Sequence, residues 1–549
     1  MSLPILSSLS AEALKTYHAE GYWKNETIYA VAKRQAAADP DHIAIRDRFM
    51  ALTHAELVTE ADRLAAWLHE TGVRPGERVT FWMPDRIESI IIVLACSRGG
   101  YVVCPSPHRN HTVEEVRALA ERMRAAVFFH QAGFGSDAGG NDVAAEIGGL
   151  ATIRRFVEIA PAGDPRTLFD GLTEPKGAPP AEIVEPDRVS YFAFTSGSTG
   201  NPKGVMHSDN TQLVTARGQT ADWNMGPHSV VYSMSPFSHN LGMGAYLTTL
   251  MAGGEFVIHD RARGESNVDR ILEIGATYLV GVPTHAIDIL EQVAARGLDR
   301  LGSVTGFRIS GAAAPKTVFS GLMEIGVTPQ SGYGMTETNG HQYTRPDDDV
   351  DLIIDSCGKA CPGYEVRIFD PDDPETELPP GETGLVAGKG ACLMLGYYDD
   401  QNATETSFNA KGWFLTGDLG WVDGAGYLRL TGRRKEVIIR GGHNINPERI
   451  EELAMRHADI DRAAVVPVAD DRLGERACIA IMKRGGAEIA FETVLAHLAE
   501  AGLSRYDMPE FGLEVLDIPL MSNGKIEKKA IMAGVKEGSL SPQLLTGEK

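Results

Sequence analysis

The stretch from residue 53 to residue 106 alternates helical and strand patterns, and this alternation constrains the fold more than any other feature of the chain. Thr53 and Glu56 have the spacing of a capping box at the start of the helical pattern THAELVTEADRLAAWLHETG, which Gly72 ends. The strand pattern RVTFWMP comes next, followed by the helical ESIIIVLACSRGG and the strand pattern YVVCPS. This β-α-β order predicts an α/β fold in which helices cover a largely parallel sheet.

The length and a later change of pattern predict more than one domain. A chain of 549 residues is long enough for about two to four domains. In YLRLTGRRKEVIIRGGHNINPERIEEL a strand pattern turns into a basic turn, a second strand and a helix that begins with proline. After it, RAAVVPVADDRLGERACIAIMKR predicts two strands and FETVLAHLAEAG predicts a helix. We therefore predict a large domain over 1–433 and a small α+β domain over 434–549.

The charge balance argues against a nucleic-acid partner and favours a small molecule. The chain has 52 basic and 74 acidic residues, a net charge of −22, whereas neutralising a nucleic-acid backbone needs clustered Lys and Arg. Six cysteines without metal-ligand spacing are typical of reduced thiols, which predicts a cytoplasmic protein. The apolar run IIIVLAC is too short to cross a bilayer, and the N-terminus lacks the basic start of a signal peptide.

A loop rich in glycine and hydroxyl side chains, TSGSTGNPKG from Thr195 to Gly204, follows the apolar run VSYFAF. Glycines let backbone N–H groups approach an anion, hydroxyls add donors, and Lys203 adds positive charge, so the composition is typical of a phosphate-binding loop. Pro202 breaks the Walker order, and the next helix is predicted to begin after an N-cap at Ser208 or Asp209. A flexible crossover between strand and helix is the alternative.

The longer string YFAFTSGSTGNPKGVMHSD resembles the signature loop of the adenylate-forming superfamily, which contains acyl-CoA synthetases, firefly luciferase and peptide-synthetase adenylation domains. Five further motifs follow in the family's order and extend over most of the chain: GAAAP at 311–315, SGYGMTET at 331–338, TGD at 416–418, GRRKEVIIRGG from 432 and PLMSNGK ending at 525. The resemblance implies a large N-terminal α/β domain of stacked β-sheets with covering helices, and a small, mobile α+β C-terminal domain.

The resemblance also implies where the phosphates of ATP bind. They would lie on the glycine-rich loop, which contributes Thr195, Ser196, Gly197, Ser198, Thr199, Gly200 and Lys203. Thr336 would contact the α-phosphate, and the hard carboxylate of Glu337 would bind Mg²⁺. From the residues alone, Glu337 could equally be a surface charge.

The adenosine part of ATP has its own set of residues in this resemblance. Tyr333 would present a planar face to adenine, and the small residues Gly311, Ala312 and Ala313 would let the edge of adenine approach the backbone. Asp418, assisted by Arg433, would accept hydrogen bonds from both ribose hydroxyls. The alternatives are that Tyr333 belongs to the core and that GAAAP is only a turn at the end of a strand.

The essential lysine of the family corresponds to Lys525, in the segment IPLMSNGKIEKKAI, and Lys528 and Lys529 are predicted to be solvent charges. In the first step a carboxylate attacks the α-phosphorus of ATP and pyrophosphate leaves. Lys525 and Mg²⁺ would neutralise the charge that develops on the phosphate oxygens. The acid is already ionised at pH 7, so the step needs no general base.

In the second step implied by the resemblance, the thiol of coenzyme A displaces AMP and forms a thioester. The small domain of the family rotates between the two steps, and Lys435 corresponds to the hinge. Gly441 and Gly442 would then line the tunnel for the pantetheine chain of coenzyme A.

His239, in SPFSHNLGMG, matches a position that borders the acyl pocket in relatives and controls thiol entry, and an ordinary buried histidine is the alternative. The other substrate-binding candidates are apolar or small residues: Phe237, Met243, Val282, Thr284, Ala312 and Gly334. They favour a compact hydrophobic acid. No Asp occurs in MSPFSHN, where amino-acid-activating relatives bind the α-amino group, and this argues against an amino-acid substrate.

Over its whole length the sequence is similar to cyclohexanecarboxylate-CoA ligases and to short- and medium-chain fatty acyl-CoA synthetases. The resemblance implies a coenzyme A ligase for a compact, cyclohexanecarboxylate-like acid. Three alternatives to this function are a medium-chain fatty acyl-CoA synthetase, an enzyme that loads a carrier protein, and an inactive nucleotide-binding regulator. Glu337, Asp418 and Lys525 argue against the regulator, because binding alone would not need the distant lysine. His443 and Leu415 stand where many relatives have Glu and Arg.

Overall fold

The computed structural model describes residues 8–105, 107–109, 111–163, 167–177, 179–195, 202–262, 264–311, 314–433, 438–440, 443–470, 473–503, 505, 507–520 and 526–545. The chain forms two compact units, one from Met1–Glu365 with Gly388–Phe408 and one from Val366–Ala387 with Asn409–Lys549. Each unit combines helices and strands, so the predicted α/β class, with a large sheet-rich N-terminal part and a smaller C-terminal part, is confirmed.

The strands of the first unit are short. They are β1 Ile43–Arg46, β2 Ala51–Thr53, β3 Arg78–Trp82, β4 Val102–Cys104, β5 Ala125–Gln131, β6 Arg155–Ile159, β7 Val189–Thr195, β8 Lys203–Ser208, β9 Val230–Ser233, β10 Glu255–Val257, β11 Tyr278–Gly281, β12 Gly306–Ile309, β13 Thr328–Met335, β14 Asn339–Tyr343 and β15 Lys359–Ala360. Its helices are α1 Ala11–Ala19, α2 Ile28–Ala38, α3 His54–Glu70, α4 Ile87–Gly99, α5 Val113–Arg122, α6 Val143–Glu146, α7 Asp209–Asp222, α8 Asn240–Ala252, α9 Asn267–Ile274, α10 Pro283–Ala295, α11 Lys316–Glu324, α12 Val350–Asp355 and α13 Gln401–Thr406.

Two largely parallel sheets organise these strands. The nine-stranded sheet has the order β15-β14-β13-β12-β11-β9-β10-β1-β2, with parallel pairing from β13 through to β1. The six-stranded sheet has the order β6-β5-β3-β4-β7-β8, and only its β7–β8 pair is antiparallel. Parallel neighbours need a crossover, and the intervening helices supply it.

The helices that cover the sheets begin and end as the local sequence predicts. Helix α3 has the expected capping box, because the Thr53 hydroxyl accepts from the Glu56 N–H and the Glu56 carboxylate accepts from the Thr53 N–H. Every residue of α4 is buried, so this helix lies inside the core. Its one carboxylate, Glu88, is compensated by a bidentate contact with Arg86, at 2.7 and 3.0 Å.

The larger of two hydrophobic clusters described in the first unit connects helices with both sheets. It includes Ile90 of α4, Val79 of β3, Tyr191 of β7 and Tyr278 of β11. Burial of side chains of this size stabilises the fold by about 1.5–3 kcal/mol each. This core therefore fixes the ends of the parallel strands, where ligands of open α/β sheets bind.

The remaining elements lie mostly in the second unit. They are β16 Tyr364–Phe369, β17 Gly384–Gly390, β18 Phe414–Val422, β19 Leu428–Arg433, β20 Ile438–Arg440, β21 His443–Ile445, α14 Pro447–Ala454, β22 Ile460–Asp470, β23 Gly474–Lys483, α15 Phe491–Glu500, β24 Phe511–Glu514, α16 Lys528–Glu537 and β25 Gln543–Leu544. One sheet has the order β16-β17-β18-β19, and a second has the order β21-β20-β23-β24-β25 with β22 paired to β23. The two strands and the helix that the sequence predicts after residue 460 correspond to β22, β23 and α15.

Among the residues that the structure describes, no helix is both long enough and apolar enough to span a membrane. The apolar run IIIVLAC lies within the buried helix α4.

Candidate active site

The glycine-rich loop connects two antiparallel strands. Thr195 at the end of β7 pairs directly with Lys203 at the start of β8. Helix α7 begins only after the N-cap Ser208, whose hydroxyl accepts from the Thr211 N–H. The alternative of a crossover from strand to helix is therefore wrong, and the hairpin also excludes a Walker loop, which passes directly into a helix. Residues 196–201, including Ser196, Gly197, Ser198, Thr199 and Gly200, lie outside the described residues.

The base of this hairpin is held by residues that are far apart in the sequence. Arg122, the last residue of α5, donates a hydrogen bond to the carbonyl of Pro202, and its guanidinium lies 5.9 Å from the centre of the Phe194 ring. On the other side, the Tyr398 N–H donates to the Gly204 carbonyl at 2.7 Å. These contacts fix the two ends of the loop from both sides.

One tyrosine connects the lysine of the hairpin with the candidate metal ligand. The Lys203 ammonium lies 4.7 Å from the centre of the Tyr397 ring, and the Tyr397 hydroxyl donates to Glu337 Oε1 at 2.9 Å. A cation over an aromatic ring is stabilised by about 0.5–2 kcal/mol. Burial, followed by the neighbouring Glu337 carboxylate, raises the pKa of Tyr397, so its hydroxyl keeps its proton and donates. The Lys203 ammonium and the Glu337 carboxylate thus both contact Tyr397, as expected if the two motifs act on one ligand.

The turn between β13 and β14 carries Thr336 and Glu337. Gly334 is required there, because a Cβ at this position would overlap the carbonyl oxygen of Asn339. Asn339 itself adopts a left-handed conformation with φ of 55°, which Asn tolerates better than most residues. Its side-chain amide donates to the carbonyls of Thr211 at 3.2 Å and Cys392 at 2.9 Å. Gly334 therefore has a steric role in the turn, besides any contact with the substrate.

A buried histidine supports the same turn. His207 Nε2 lies 2.7 Å from the carbonyl oxygen of Thr336, and its Nδ1 lies 3.0 Å from the Thr211 hydroxyl. Burial lowers the pKa of His207 to about 4, although the contact with the Thr336 carbonyl acts in the opposite direction. The ring is therefore neutral near pH 7, and its Nε2–H donates to the Thr336 carbonyl. Sequence reasoning did not identify His207 or Asn339.

Tyr333 is largely buried, with 8% of its surface exposed. Its ring meets the His341 ring edge to face, with centroids 5.3 Å apart. On the neighbouring strand end, Gly311 has a φ of 90°, and a Cβ there would lie 3.5 Å from the Val282 side chain. Val282 is the N-cap of α10, and the following Thr284 is exposed. Ala312 and Ala313 lie outside the described residues.

His239 is the N-cap of α8, and its Nδ1 accepts from the Leu241 N–H at 3.3 Å. Its ring centre lies 6.5 Å from that of His108, whose Nδ1 is 2.9 Å from the Ser238 hydroxyl. Burial lowers the pKa of His108 to about 3, with smaller contributions from His111 and His239, so this ring is neutral. His239 thus belongs to a histidine cluster that sequence reasoning did not find.

Phe237 and Met243 lie in the main core, with 2% and 1% of their surface exposed. The Phe237 ring packs against Phe81 and Tyr246, with centroid distances of 6.4 and 5.9 Å. Both residues are apolar, as the predicted acyl pocket requires. The backbone N–H of Phe237 donates to Asp85 Oδ1 at 2.8 Å, so a carboxylate that is distant in the sequence fixes this segment.

Asp85 makes protein stability depend on pH. Burial raises the pKa of its carboxyl to about 7, although the Phe237 N–H acts in the opposite direction. The folded chain therefore holds this proton between the ordinary pKa of Asp, about 3.9, and pH 7. The stabilisation is complete below about pH 4 and is lost as the pH rises through 7.

Asp85→Asn should remove this dependence, because the amide stays neutral and its oxygen still accepts from Phe237. We expect the difference in melting temperature, variant minus native chain, to be a few degrees larger at pH 8 than at pH 5. Scanning calorimetry at both pH values measures the difference. The exposed Asp41→Asn is the matched control and should shift nothing. An equal difference at both pH values would contradict the assignment.

The second unit contains the candidate ribose ligands. Asp418 in β18 is buried and pairs in register with Arg433 of β19. The Thr416 hydroxyl accepts from the Asp418 N–H at 3.1 Å and donates to the Val386 carbonyl at 2.7 Å, which holds the TGD turn. The side chain of Arg433 is not described. Lys435, Gly441, Gly442 and Lys525 lie outside the described residues.

The prediction for the two lysines after Lys525 needs a correction. Lys529 is exposed, as expected, but the Lys528 ammonium forms an ion pair at 2.8 Å with Glu451, which is 6% exposed. The Val465 N–H also donates to Glu451, at 2.6 Å. A buried carboxylate needs such partners, and Lys528 supplies the charge, so it is not a solvent charge.

No group of three or more His, Cys, Asp or Glu residues within the described ranges could form a metal site. In nucleotide enzymes Mg²⁺ is usually held by a carboxylate together with substrate phosphates and water. Glu337 can supply that carboxylate, because the Tyr397 hydroxyl contacts its Oε1.

Comparisons with known proteins identify the family. The family model described as AMP-binding enzyme matches residues 32–398. The medium-chain fatty-acid–CoA ligase of Escherichia coli (strain K12) is 28% identical over 96% of this chain and 94% of that protein. A salicylyl-CoA synthase / salicylate adenylyltransferase from a Streptomyces species is 30% identical over 95% of this chain and 96% of that protein. The crystal structure of ATP-bound MatB from Rhodopseudomonas palustris superimposes with a TM-score of 0.81 at 26% identity, covering 93% of this chain and 99% of that one.

The fold is that of the adenylate-forming enzymes. The chain belongs to the AMP-binding enzyme family, as an AMP-forming acyl-CoA synthetase. The inactive-regulator alternative is thereby disfavoured.

Proposed function

We propose that the chain adenylates a compact hydrophobic carboxylic acid, similar to cyclohexanecarboxylate, with ATP and then transfers the acyl group to coenzyme A. Pyrophosphate leaves in the first step and AMP in the second. The observation that carries the proposal is the Lys203–Tyr397–Glu337 arrangement, because it brings a phosphate-binding cation and a metal-binding carboxylate together beside the glycine-rich hairpin.

The phosphates of ATP would bind to the hairpin that begins at Thr195 and ends at Lys203. The antiparallel β7–β8 pair supports this role, because it presents both ends of the loop at one edge of the sheet. Thr336 would contact the α-phosphate from the turn that His207 and Asn339 hold. Rigid support of this turn favours catalysis, since misplaced donors lose most of their effect.

Glu337 would hold Mg²⁺. When bound, the ion supplies positive charge to the phosphate oxygens and so favours departure of pyrophosphate. Tyr397 would orient the Glu337 carboxylate by donating to its Oε1.

Adenosine would use residues of the predicted large domain over 1–433. Tyr333, Gly311, Ala312 and Ala313 are the proposed adenine contacts, and Asp418 with Arg433 is the proposed ribose pair. The register between Asp418 and Arg433 supports this pair, because directly opposite residues can act on the same ligand.

The two chemical steps would use different parts of a small domain over 434–549. Lys525 would neutralise charge during adenylation, and Gly441 and Gly442 would line the path of coenzyme A after rotation about Lys435. The six cysteines without metal-ligand spacing support the proposed cytoplasmic location, where thiols stay reduced.

The acid would bind near His239, against apolar side chains such as Val282. Phe237 and Met243 would contribute from the core side. The burial of these side chains supports an apolar acid, because an apolar group gains about 25 cal/mol for each Å² removed from water.

A screen of carboxylic acids for AMP release, with and without coenzyme A, tests the proposal. We expect cyclohexanecarboxylate-type acids to release AMP only when coenzyme A is present, and to give acid-dependent ATP–pyrophosphate exchange without it. The absence of AMP and of exchange for every acid would contradict the proposed function.

The same screen includes octanoate, because the relative from Escherichia coli is a medium-chain fatty-acid–CoA ligase. A kcat/KM for octanoate above that for cyclic acids would favour a medium-chain synthetase. Stable acyl-adenylate that coenzyme A does not consume would favour an enzyme that loads a carrier protein.

A further inference from the structure

Arg308, the third residue of β12, is a buried cation. Only 5% of its surface is exposed, and the titratable groups that act on it within the described ranges are Tyr278, Tyr343 and Cys361, none of which is a carboxylate. Its Nε is buried without a hydrogen-bond partner, and burial lowers the pKa of the guanidinium. A buried charge without compensation destabilises a fold. A protein that contains such a charge therefore usually has a function for it.

The surroundings of Arg308 make room for the guanidinium. A Cβ at Gly340 would overlap its terminal nitrogen, and a Cβ at Gly332 would lie 3.5 Å from Nε. Both glycines belong to the β13–β14 hairpin that carries Thr336 and Glu337. The guanidinium therefore lies directly against the backbone of the candidate active site.

A narrow cavity adjoins Arg308 between the nine-stranded sheet and helices α7 and α8. Its wall includes Arg308, Gln219, Trp223, Ala245, Thr248 and Tyr278, and Arg308 is the one charged residue among those that line it. The space holds about one water molecule. A single oxygen atom of a ligand therefore fits beside the guanidinium.

The other polar groups of this wall already have partners. The Thr248 hydroxyl donates to Gln219 Oε1 and the Gln219 amide donates to the Gly340 carbonyl, both at 3.2 Å. The Tyr278 hydroxyl donates to Gln330 Oε1 at 2.9 Å. The donors that remain for a ligand are those of Arg308.

Two elements of the cavity wall, helix α8 and strand β12, also border the proposed acyl site. Helix α8 begins after His239 and contributes Ala245 and Thr248 to the wall. Strand β12 leads from Arg308 to Gly311, three residues further on. An acid bound at the carboxyl ends of the parallel strands, with its far end directed between α8 and β12, would meet the guanidinium.

We infer that Arg308 is a specificity residue that binds an oxygen acceptor, a ketone or a carboxylate, at the end of the acid remote from the reacting carboxylate. The inference rests on the proposed function and narrows its substrate class. The acid has a compact apolar body and one distal oxygen function. Arginine suits this role, because its rigid fork of donors matches carbonyl and carboxylate oxygens.

Three acids that share one ring test this inference: cyclohexanecarboxylate, 4-oxocyclohexanecarboxylate and cyclohexane-1,4-dicarboxylate. We expect the native chain to favour an acid with a distal oxygen over cyclohexanecarboxylate by about 10- to 100-fold in kcat/KM, as measured by AMP release. In Arg308→Met this ratio should fall by at least about tenfold. The oxygen-bearing acid with the higher kcat/KM shows whether Arg308 prefers a ketone or a carboxylate.

Two further variants guard against misfolding and unspecific effects. Gly340→Ala keeps the charge but displaces the guanidinium, so the same ratio should fall. Arg296→Met, at a surface arginine paired with Asp269, should leave the ratio as it is. The melting temperature of Arg308→Met should equal or exceed that of the native chain, because the variant loses an unpaired buried charge.

If the kcat/KM ratio is unchanged in both Arg308→Met and Gly340→Ala, the proposed role of Arg308 is wrong, whereas the proposed adenylation activity is not affected. The same conclusion follows if Arg308→Met lowers kcat/KM equally for all three acids. If the native chain releases AMP with no acid of the wider screen, the proposed function fails, and the role of Arg308 fails with it.

Discussion

Lys525→Ala is expected to lower the rate of acid adenylation by roughly 10²–10³-fold, the usual effect of removing one group that stabilises developing charge. Thioester formation from supplied acyl-adenylate should change much less, because in that step the thiol attacks the acyl carbon, so no bond to the α-phosphorus forms or breaks. ATP–pyrophosphate exchange measures the first step, and thioester formation from synthetic acyl-adenylate measures the second.

Lys529→Ala is the matched control for this experiment. It removes a lysine four positions away that is exposed to solvent, and both half-reactions should stay at the native rate. Gly441→Leu should show the reverse pattern, with exchange preserved and thioester formation blocked. An equal loss of both half-reactions in Lys525→Ala would contradict the division of the two steps between different parts of the small domain.

Glu337→Gln is expected to lower adenylation by about 100-fold, which corresponds to about 2.7 kcal/mol of lost transition-state stabilisation. The amide oxygen can still accept from the Tyr397 hydroxyl, so the local structure is kept while the charge that attracts Mg²⁺ is lost. ATP–pyrophosphate exchange, titrated with Mg²⁺, should require a higher Mg²⁺ concentration in the variant.

Tyr397→Phe provides the comparison for Glu337→Gln. It keeps the carboxylate and the aromatic ring near Lys203 but removes the hydroxyl that orients Glu337. We expect a smaller loss, of about tenfold, equivalent to one charge-assisted hydrogen bond. Native exchange at the native Mg²⁺ requirement in Glu337→Gln would contradict the assignment of Glu337 as the metal ligand.

Local sequence signals correctly predicted the elements that depend on neighbouring residues. The capping box at Thr53 and the N-cap at Ser208 involve atoms three residues apart, so the local sequence is enough to predict where each helix begins. The order of hydrophobic runs likewise predicted the parallel sheet. Its strands and helices alternate because each apolar face must be covered by the next element.

The support of the candidate site could not be predicted in this way. His207 lies 129 positions before its partner Thr336, and Tyr397 lies 60 positions after Glu337. No periodicity in the sequence reports such pairs, because they arise when elements of the two sheets and a loop pack against one another. Asn339 directly follows the MTET motif, and its capacity for a left-handed conformation was the one available signal.

Taken by itself, the sequence determined the fold class, the family and the residues with nucleotide chemistry, because these depend on local pattern and on motifs in a fixed order. Only the tertiary structure decided which side chains hold those residues and which charges are compensated. Asp85 and Lys528 gain their roles from Phe237 and Glu451, and Arg308 stands out because its burial leaves it without a carboxylate in the described ranges. The burial of a side chain and its hydrogen-bond and ion-pair partners depend on contacts between distant segments. Those contacts exist only once the chain is folded.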